Sequence, residues 1–327
     1  MTKKYKNNFN KKKILITGGT GSFGRNFLKK ILNFNCEIRV FSRDELKQND
    51  LRNEINNNKV KFYIGDVRDK DSLDKATEGV DYIFHAAALK QVPSCEFFPM
   101  EAVKTNILGS KNLIDVSVKN KVKKIVFLST DKAVYPINAM GMSKSLMEKI
   151  LISEARRYKS NKLKMNIVRY GNVMCSRGSV IPLFINQIRD KKNLTITDKN
   201  MTRFLLSLND AINLVLLALS SNDTGNIFIR KAPSCNILDL AKVMLNIFNQ
   251  KNKIKIIGTR HGEKTHETLA TSNELTKAFE TKSYFKVPND ERTLNYKDYF
   301  ISGSTKKNYK DYSSDNTKIL NYKEFLF

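Results

Sequence analysis

Paired cysteines, long apolar runs and basic stretches interleaved with aromatics are all missing from this chain of 327 residues. The four cysteines, Cys36, Cys95, Cys175 and Cys235, stand far apart, with no CxxC pair and no Cys/His cluster at zinc spacing. That excludes a disulfide framework and a structural zinc site and leaves ordinary thiols. The longest apolar stretch, around Leu214–Leu219, falls well below the roughly 20 residues that span a bilayer. The run Ile14–Ile16 behind the basic start MTKKYKNNFNKKK is too short for a signal h-region. A soluble, cytoplasmic protein with no membrane span is expected. Acidic residues are scarce, 32 against 58 Lys+Arg, for a formal net charge of +26. Such a balance raises nucleic acid as a partner. The lysines, however, are scattered through every segment beside many asparagines and nowhere form a stacking platform, so a compositional bias explains the charge and no nucleic-acid partner is expected. No internal repeat is visible.

What is present is a rhythm. Short β-branched runs, Lys13–Thr17, Glu37–Phe41, Val60–Ile64, Tyr82–His85, Lys124–Ser129 and Met165–Arg169, alternate with segments of helical period, Ser22–Leu32, Asp69–Thr77, Met100–Asn120 and Asn138–Tyr158. That alternation predicts an α/β fold, a Rossmann-type doubly wound parallel sheet over residues 1–170. Beyond about Tyr170 the pattern loosens into a helix at Val180–Arg189, a strand near Phe204, and helices near Asp210–Ser220 and Ile237–Phe248. Residues 171–280 are therefore expected to form a smaller C-terminal α/β substrate lobe, some of whose segments return to the first domain. Residues 281–327 read as a polar tail draped over the body.

The first strand runs into Thr17-Gly18-Gly19-Thr20-Gly21-Ser22-Phe23-Gly24 and then an amphipathic segment. Glycines at 18, 21 and 24 permit a tight turn, close approach of backbone N–H groups to a pyrophosphate, and close packing of helix on strand. In this strand–loop–helix setting the pattern predicts a bound dinucleotide. The second strand ends at Ser42-Arg43-Asp44, where an acid would accept a ribose 2′-OH and a cation would bind a 2′-phosphate. Arg43 is the better placed, with Ser42 and Lys47 completing a clasp, so NADP rather than NAD is expected. Asp66 and Val67 after the third strand, and His85, Ala86 and Ala87 after the fourth, are further cofactor-binding candidates.

The fifth strand ends in Ser129-Thr130-Asp131-Lys132, followed by Tyr135 and by a helix carrying Met140 and Lys144, four apart on one face. Carboxyl ends of strands are where doubly wound sheets do chemistry. The chain here resembles the extended short-chain dehydrogenases/reductases, whose Tyr-x-x-x-Lys pattern is met at Lys144 but not at Met140. With SRDELKQ (42–48), HAAALKQVP (85–93), STDKAVYPINAMGMSKSLMEK (129–149), RHGEKTHETL (260–269), Thr202-Arg203-Phe204 and YSSDNT (312–317), it is similar over nearly its whole length to the 5-inverting UDP-N-acetylglucosamine 4,6-dehydratases of bacterial polysaccharide synthesis.

That resemblance implies hydride transfer from sugar C4, loss of the C5 proton to Lys132, departure of water from C6 with Asp131 as acid, and return of the hydride to C6. It assigns Thr130 to the same site, Lys144 to the nicotinamide ribose, and Lys90, Asn172, Arg203, Arg260 and Glu263 to the UDP-sugar. As a base, Lys132 would need its pKa lowered, by Lys144 and by the nicotinamide charge of the cofactor, and Asp131 would need to be held protonated by burial. Met140 cannot take the C4 hydroxyl proton, so Tyr135, or Lys144 through a water, is left for that step. His261 and His266 beside Glu263 and Glu267 could suggest a metal, which the chemistry does not need. Relatives are expected to assemble as homo-oligomers. Two other readings stand beside dehydration: UDP-sugar 4-epimerisation, a name carried by close relatives but needing no acid at O6, and a non-catalytic NADP-binding sensor.

Overall fold

The strands of the first half are apolar on both faces, the signature of a parallel sheet covered by helices, and they assemble accordingly. The computed structural model describes residues 2–158, 162–176, 178–289, 309–321 and 323–325. Six strands lead, β1 (Lys12–Thr17), β2 (Cys36–Ser42), β3 (Val60–Ile64), β4 (Tyr82–His85), β5 (Lys124–Thr130) and β6 (Lys164–Tyr170). They pair in parallel in the order β3-β2-β1-β4-β5-β6. The chain direction across the sheet reverses between β1 and β4, and a doubly wound sheet opens its ligand crevice at the strand ends beside such a switch.

Among the described residues eleven α-helices follow the strands or lie between them. They are α1 (Ser22–Ile31), α2 (Glu45–Ile55), α3 (Lys70–Thr77), α4 (Val92–Phe97), α5 (Pro99–Ala102), α6 (Gly109–Lys119), α7 (Ala139–Arg157), α8 (Val180–Arg189), α9 (Leu208–Ser220), α10 (Ile237–Ile247) and α11 (Ser272–Leu275). The single helix expected over Met100–Asn120 is broken by a π-turn at Val103–Leu108. There Asn106 leaves the helical ladder's service, donating to the Leu89 carbonyl at 2.9 Å and accepting from the Leu89 amide at 2.8 Å. Such bulges concentrate near functional sites, and this one steadies the loop after β4.

The remaining strands are short: β7 (Asn172–Val173), β8 (Leu194–Ile196), β9 (Thr202–Leu206), β10 (Ile227–Arg230), β11 (Ser234–Asn236), β12 (Ile254–Ile256), β13 (Thr268–Ala270), β14 (Phe279–Glu280), β15 (Tyr284–Val287) and β16 (Tyr312–Ser313). β10 adds to the main sheet in parallel beside β6, and β15 and β14 continue it antiparallel, giving nine strands. Tyr284–Val287 was read as aperiodic tail; it is a sheet strand because Phe285 and Val287 turn into the core on alternate positions. The draped course expected for the tail falls, at residues 290–308, outside the described residues. A second apolar cluster, with Phe184, Leu194, Met201, Leu205, Leu240 and Met244, packs α8 and α10 against the small sheets. The main cluster draws on residues from Phe9 to Val287. Among the described residues no helix is long and apolar enough to cross a membrane.

Candidate active site at the switch point

The loop after β1 is shaped by close approach. Gly18 sits at φ +66°, and a Cβ there would lie 2.8 Å from the Ala87 amide nitrogen. A Cβ on Gly24 would lie 2.6 Å from the Gly18 carbonyl oxygen. The turn closes through Gly21 N–H to Gly18 O at 3.0 Å and Gly18 N–H to Phe41 O at 2.8 Å. α1 then starts at Gly21 with no side-chain cap, so its first N–H groups face the crevice with the positive end of the helix dipole, which suits an anion. Thr20 Oγ1 donates to Ser42 Oγ at 3.0 Å, joining the loop to the end of β2. Phe23 stacks on Tyr170, centroids 5.7 Å apart.

His85 was expected among the cofactor contacts; its side chain belongs to the core instead. Nδ1 meets Thr17 Oγ1 at 2.7 Å and Nε2 meets Ser110 Oγ at 3.1 Å. Burial, with Lys144 nearby, drives its pKa down to about 3, so the ring is neutral. The Thr17 hydroxyl lies 3.4 Å from the Ala87 amide as well, so both residues shape the loop from beneath. Ala86 and Ala87 stay partly exposed beside Gly18.

At the end of β2, Asp44 caps α2, its Oδ1 accepting the Lys47 amide at 2.9 Å. The Lys47 ammonium is ion-paired with the same carboxylate, so it is not aimed at a clasp. Arg43 is half exposed, with Nη1 3.4 Å from Asp66 Oδ2. Arg68, not anticipated from the sequence, binds Asp66 through Nη2 at 2.6 Å and Glu101 through Nη1 at 2.7 Å. Despite burial, these guanidinium contacts hold the Asp66 carboxyl below its ordinary pKa. Val67 is buried beneath them.

Beyond β5 a single 3-10 turn carries the acid and the lysine. Asp131 is fully buried. Its Oδ1 accepts from Thr130 Oγ1 at 2.8 Å and lies 3.2 Å from Lys132 Nζ, while Oδ2 makes no hydrogen bond among the described residues. Lys132 Nζ also lies 3.0 Å from Glu267 Oε1. Burial works against the ammonium charge, but Asp131 and Glu267 outweigh it and raise the Lys132 pKa above 10.5. The lowering expected for Lys132 is thus reversed in this structure, because the carboxylates of Asp131 and Glu267 outweigh both burial and the nearby cations Arg203 and Lys264. The lowered amine is Lys144: burial brings it to about 8, with Glu148 partly opposing. Its Nζ donates to the Leu128 carbonyl at 2.8 Å.

Met140 packs in a small apolar cluster with Cys95, Ala102 and Leu89, so the position of the family tyrosine is filled by a buried thioether. Tyr135 does not replace it. Its ring is 53% exposed and its hydroxyl donates to Asp311 Oδ1 at 3.5 Å, pointing the phenol at the C-terminal segment.

Among the expected substrate residues, Asn172 follows β6, and its buried Oδ1 has no hydrogen-bond partner among the described residues. Lys90 and Arg260 are exposed. Glu263 accepts the Arg260 amide at 3.4 Å, and its Oε1 is 3.6 Å from Arg203. Arg203 is the exception, buried with its fork already donating to the carbonyls of Thr202, Thr265 and Lys264 at 2.7, 3.0 and 2.8 Å. It holds the 264–265 loop, with three of its five N–H donors engaged by backbone carbonyls. Lys264, on that loop, donates to the Val134 carbonyl at 2.5 Å. Beneath the site a buried ion cluster braces the strand ends: Arg169 Nη2 meets Glu148 at 2.5 Å and Nη1 meets Glu274 at 3.0 Å, and Ser129 Oγ donates to Glu148 at 2.5 Å.

A glycine cradle for a dinucleotide pyrophosphate and a buried acid–lysine pair, at neighbouring strand ends of one parallel sheet, describe an enzyme of the nucleotide-sugar dehydratase/epimerase class. The chain belongs to the polysaccharide biosynthesis protein family, whose model matches residues 14–289, with the family's C-terminal model matching 290–326. It is 57% identical to a UDP-glucose 4-epimerase of Rickettsia rickettsii (strain Sheila Smith) over 300 residues, 90% of this chain and 88% of that one. The X-ray structure of Pen from Bacillus thuringiensis is 38% identical and superposes with a TM-score of 0.89, covering 97% of this chain and 96% of that one. The dTDP-glucose 4,6-dehydratase DesIV of Streptomyces venezuelae, with NAD and TYD bound, shares the fold at 22% identity and a TM-score of 0.71, covering 77% and 86%.

Proposed function

We propose that this protein is an NADP-dependent UDP-N-acetylglucosamine 4,6-dehydratase that inverts C5. The observation that carries the reading is the buried Asp131–Lys132 pair, since an elimination across C5 and C6 needs one group to take a proton and another to give one, whereas 4-epimerisation needs no acid at O6. The dinucleotide fits the chain: the uncapped start of α1 and the glycine turn against Ala87 leave room and N–H donors for a pyrophosphate, and half-exposed Arg43 is available to a 2′-phosphate. Bound there, NADP would supply a hydride acceptor at C4 of the sugar and return the hydride to C6.

The residues do the rest. Oxidation at C4 acidifies the C5 proton. In the resting structure Lys132 is an ammonium, so it must first lose a proton, and Asp131 Oδ1 is 3.2 Å away. Transfer between them leaves a neutral amine and a protonated acid, an exchange that a site closed to water favours because it removes two charges from low dielectric. Lys132 then takes the C5 proton, and Asp131 gives its own to O6 as water leaves. Each step is worth on the order of 10² to 10⁴ in rate. Lys144, with a pKa near 8, positions the nicotinamide ribose and exchanges the C4 hydroxyl proton, which neither Met140 nor Tyr135 can do.

The test is a proton NMR time course with UDP-N-acetylglucosamine and trace NADP in D₂O. A new 6-methyl signal with deuterium at C5 supports dehydration. The name carried by the rickettsial relatives favours the second reading, UDP-sugar 4-epimerisation, which predicts an intact C6 and inverted C4.

A further inference from the structure

The charged network around Lys132 contains a residue to which the reaction above gives no part. Glu267 immediately precedes β13 and is 2% exposed. Its main chain is clamped from both sides by Ser314 of the C-terminal segment: the Glu267 amide donates to Ser314 Oγ at 3.0 Å, and its carbonyl accepts the Ser314 amide at 2.8 Å. Ser314 is itself fully buried and shares a 2.7 Å hydrogen bond with Thr202 Oγ1. The carboxylate is therefore held where it is by two segments distant in sequence. A buried carboxylate is costly unless a cation meets it. Lys132 does so at 3.0 Å and Lys264 at 3.8 Å, and Oε2 makes no hydrogen bond among the described residues.

We infer that Glu267 is a positioning residue for the proposed elimination, gripping the Lys132 ammonium beside Asp131 and setting how readily the amine is released. The groups facing Lys132 are Asp131 on its own turn, Glu267 and Lys264 from the segment before β13, and Arg203 on β9. Arg203 and Lys264 keep their positive charge and favour the neutral amine, while the two carboxylates hold the ammonium and prevail. When the Lys132 N–H bond breaks and the proton moves to Asp131 Oδ1, the ammonium partner of Glu267 disappears. The carboxylate of Glu267 therefore opposes that transfer and fixes the fraction of enzyme that holds the amine. The inference rests on the dehydratase reading for its consequence, but not for its measurement.

The experiment is trace labelling with acetic anhydride at pH 9, reading Lys132 acetylation by mass spectrometry against an exposed lysine, in the full-length wild type, Glu267→Gln and Glu267→Asp. Gln keeps an acceptor of the same shape and removes the charge; Asp keeps the charge. Loss of one nearby opposite charge lowers a pKa by about one unit or more, so Lys132 should become roughly tenfold more reactive in Glu267→Gln and stay near wild type in Glu267→Asp. Equal reactivity in wild type and Gln, or an equal rise in Gln and Asp, overturns the inference, the latter because access and not charge would then be responsible. Deuterium exchange at C5 of UDP-N-acetylglucosamine with NADP, run on the same proteins, tests the reading separately. No exchange in the wild type alongside a Gln-specific rise in Lys132 reactivity would end the dehydratase reading and leave the role of Glu267 standing.

Discussion

Burial of the Lys144 amine implies a stability penalty that depends on pH. The amine is buried, it donates to a strand carbonyl, and burial has brought its pKa from 10.5 to about 8. At about 1.4 kcal/mol per unit, a neutral-pH fold that houses this charge gives up about 3 kcal/mol. The folded pKa lies below the unfolded one, so between them the unfolded chain binds the proton more readily. The penalty is complete below about pH 8 and fades as pH rises toward 10.5. Lys144→Met should remove it while losing the hydrogen bond to Leu128, which costs back about 1 to 2 kcal/mol. The variant is expected to be more stable than wild type by about 1 to 2 kcal/mol at pH 7 in urea titrations of the cofactor-free protein. At pH 9.5 the wild type recovers about 2 kcal/mol and the advantage vanishes or reverses. The same variant should lose turnover. A Lys144→Met protein destabilised by one constant amount at both pH values would refute the argument.

Other perturbations test other parts. Arg43→Ala should weaken NADP binding at least tenfold more than NAD binding, measured by fluorescence titration, because one charge-assisted contact contributes roughly 1.5 to 3 kcal/mol; equal losses would remove the 2′-phosphate assignment. Gly18→Ala forces a Cβ to 2.8 Å from Ala87 N at φ +66°, costing about 1 to 2 kcal/mol in backbone strain alone and abolishing dinucleotide binding in the same titration. Asp131→Asn and Lys132→Met should each cut 6-methyl formation by about 10² to 10⁴, with NADP affinity within a fewfold of wild type. Arg169→Met leaves the Glu148 and Glu274 carboxylates without their cation and should cost about 3 to 5 kcal/mol in urea unfolding; Arg169→Met/Glu148→Gln should recover much of it, and a single-variant loss below about 1 kcal/mol would show that the cluster does not brace the fold.

The first six strands were legible because a parallel sheet buried on both faces requires continuous β-branched runs, and their positions were found to within a residue or two. β10 and β15 were not, since each has only four residues, and β10, with Ile227, Phe228 and Ile229 all buried, shows no alternation. The π-turn at Val103–Leu108 was invisible because no glycine or proline marks it in the sequence. At the site, the glycine turn and Asp131–Lys132 could be read from the strand ends they follow. The parts played by Arg203, Tyr135 and His85 could not, because what fixes each is a partner from another segment: three carbonyls, Asp311, and the pair Thr17 and Ser110. Glu267 lies in RHGEKTHETL (260–269), where the neighbouring histidines point only toward a metal. Its actual partner, Lys132, lies far upstream, and no spacing rule joins them.

That separation explains why the two lysines of the site end in opposite states. Both follow β5, and both are drawn out of water. Burial alone lowers each. Lys132 meets two carboxylates brought by its own turn and by the segment before β13, and rises. The carboxylate nearest Lys144 along α7, Glu148, is already committed to Arg169 and Ser129, so it offsets burial only in part. Environments that push like groups apart are how one site divides acid from base. On the proposed dehydratase reading, the division gives the readily neutral amine to the cofactor ribose and the held ammonium to the deprotonation of the sugar. On this logic the chemistry at C5 waits on a proton leaving Lys132, and anything that weakens Glu267's hold on that lysine advances it.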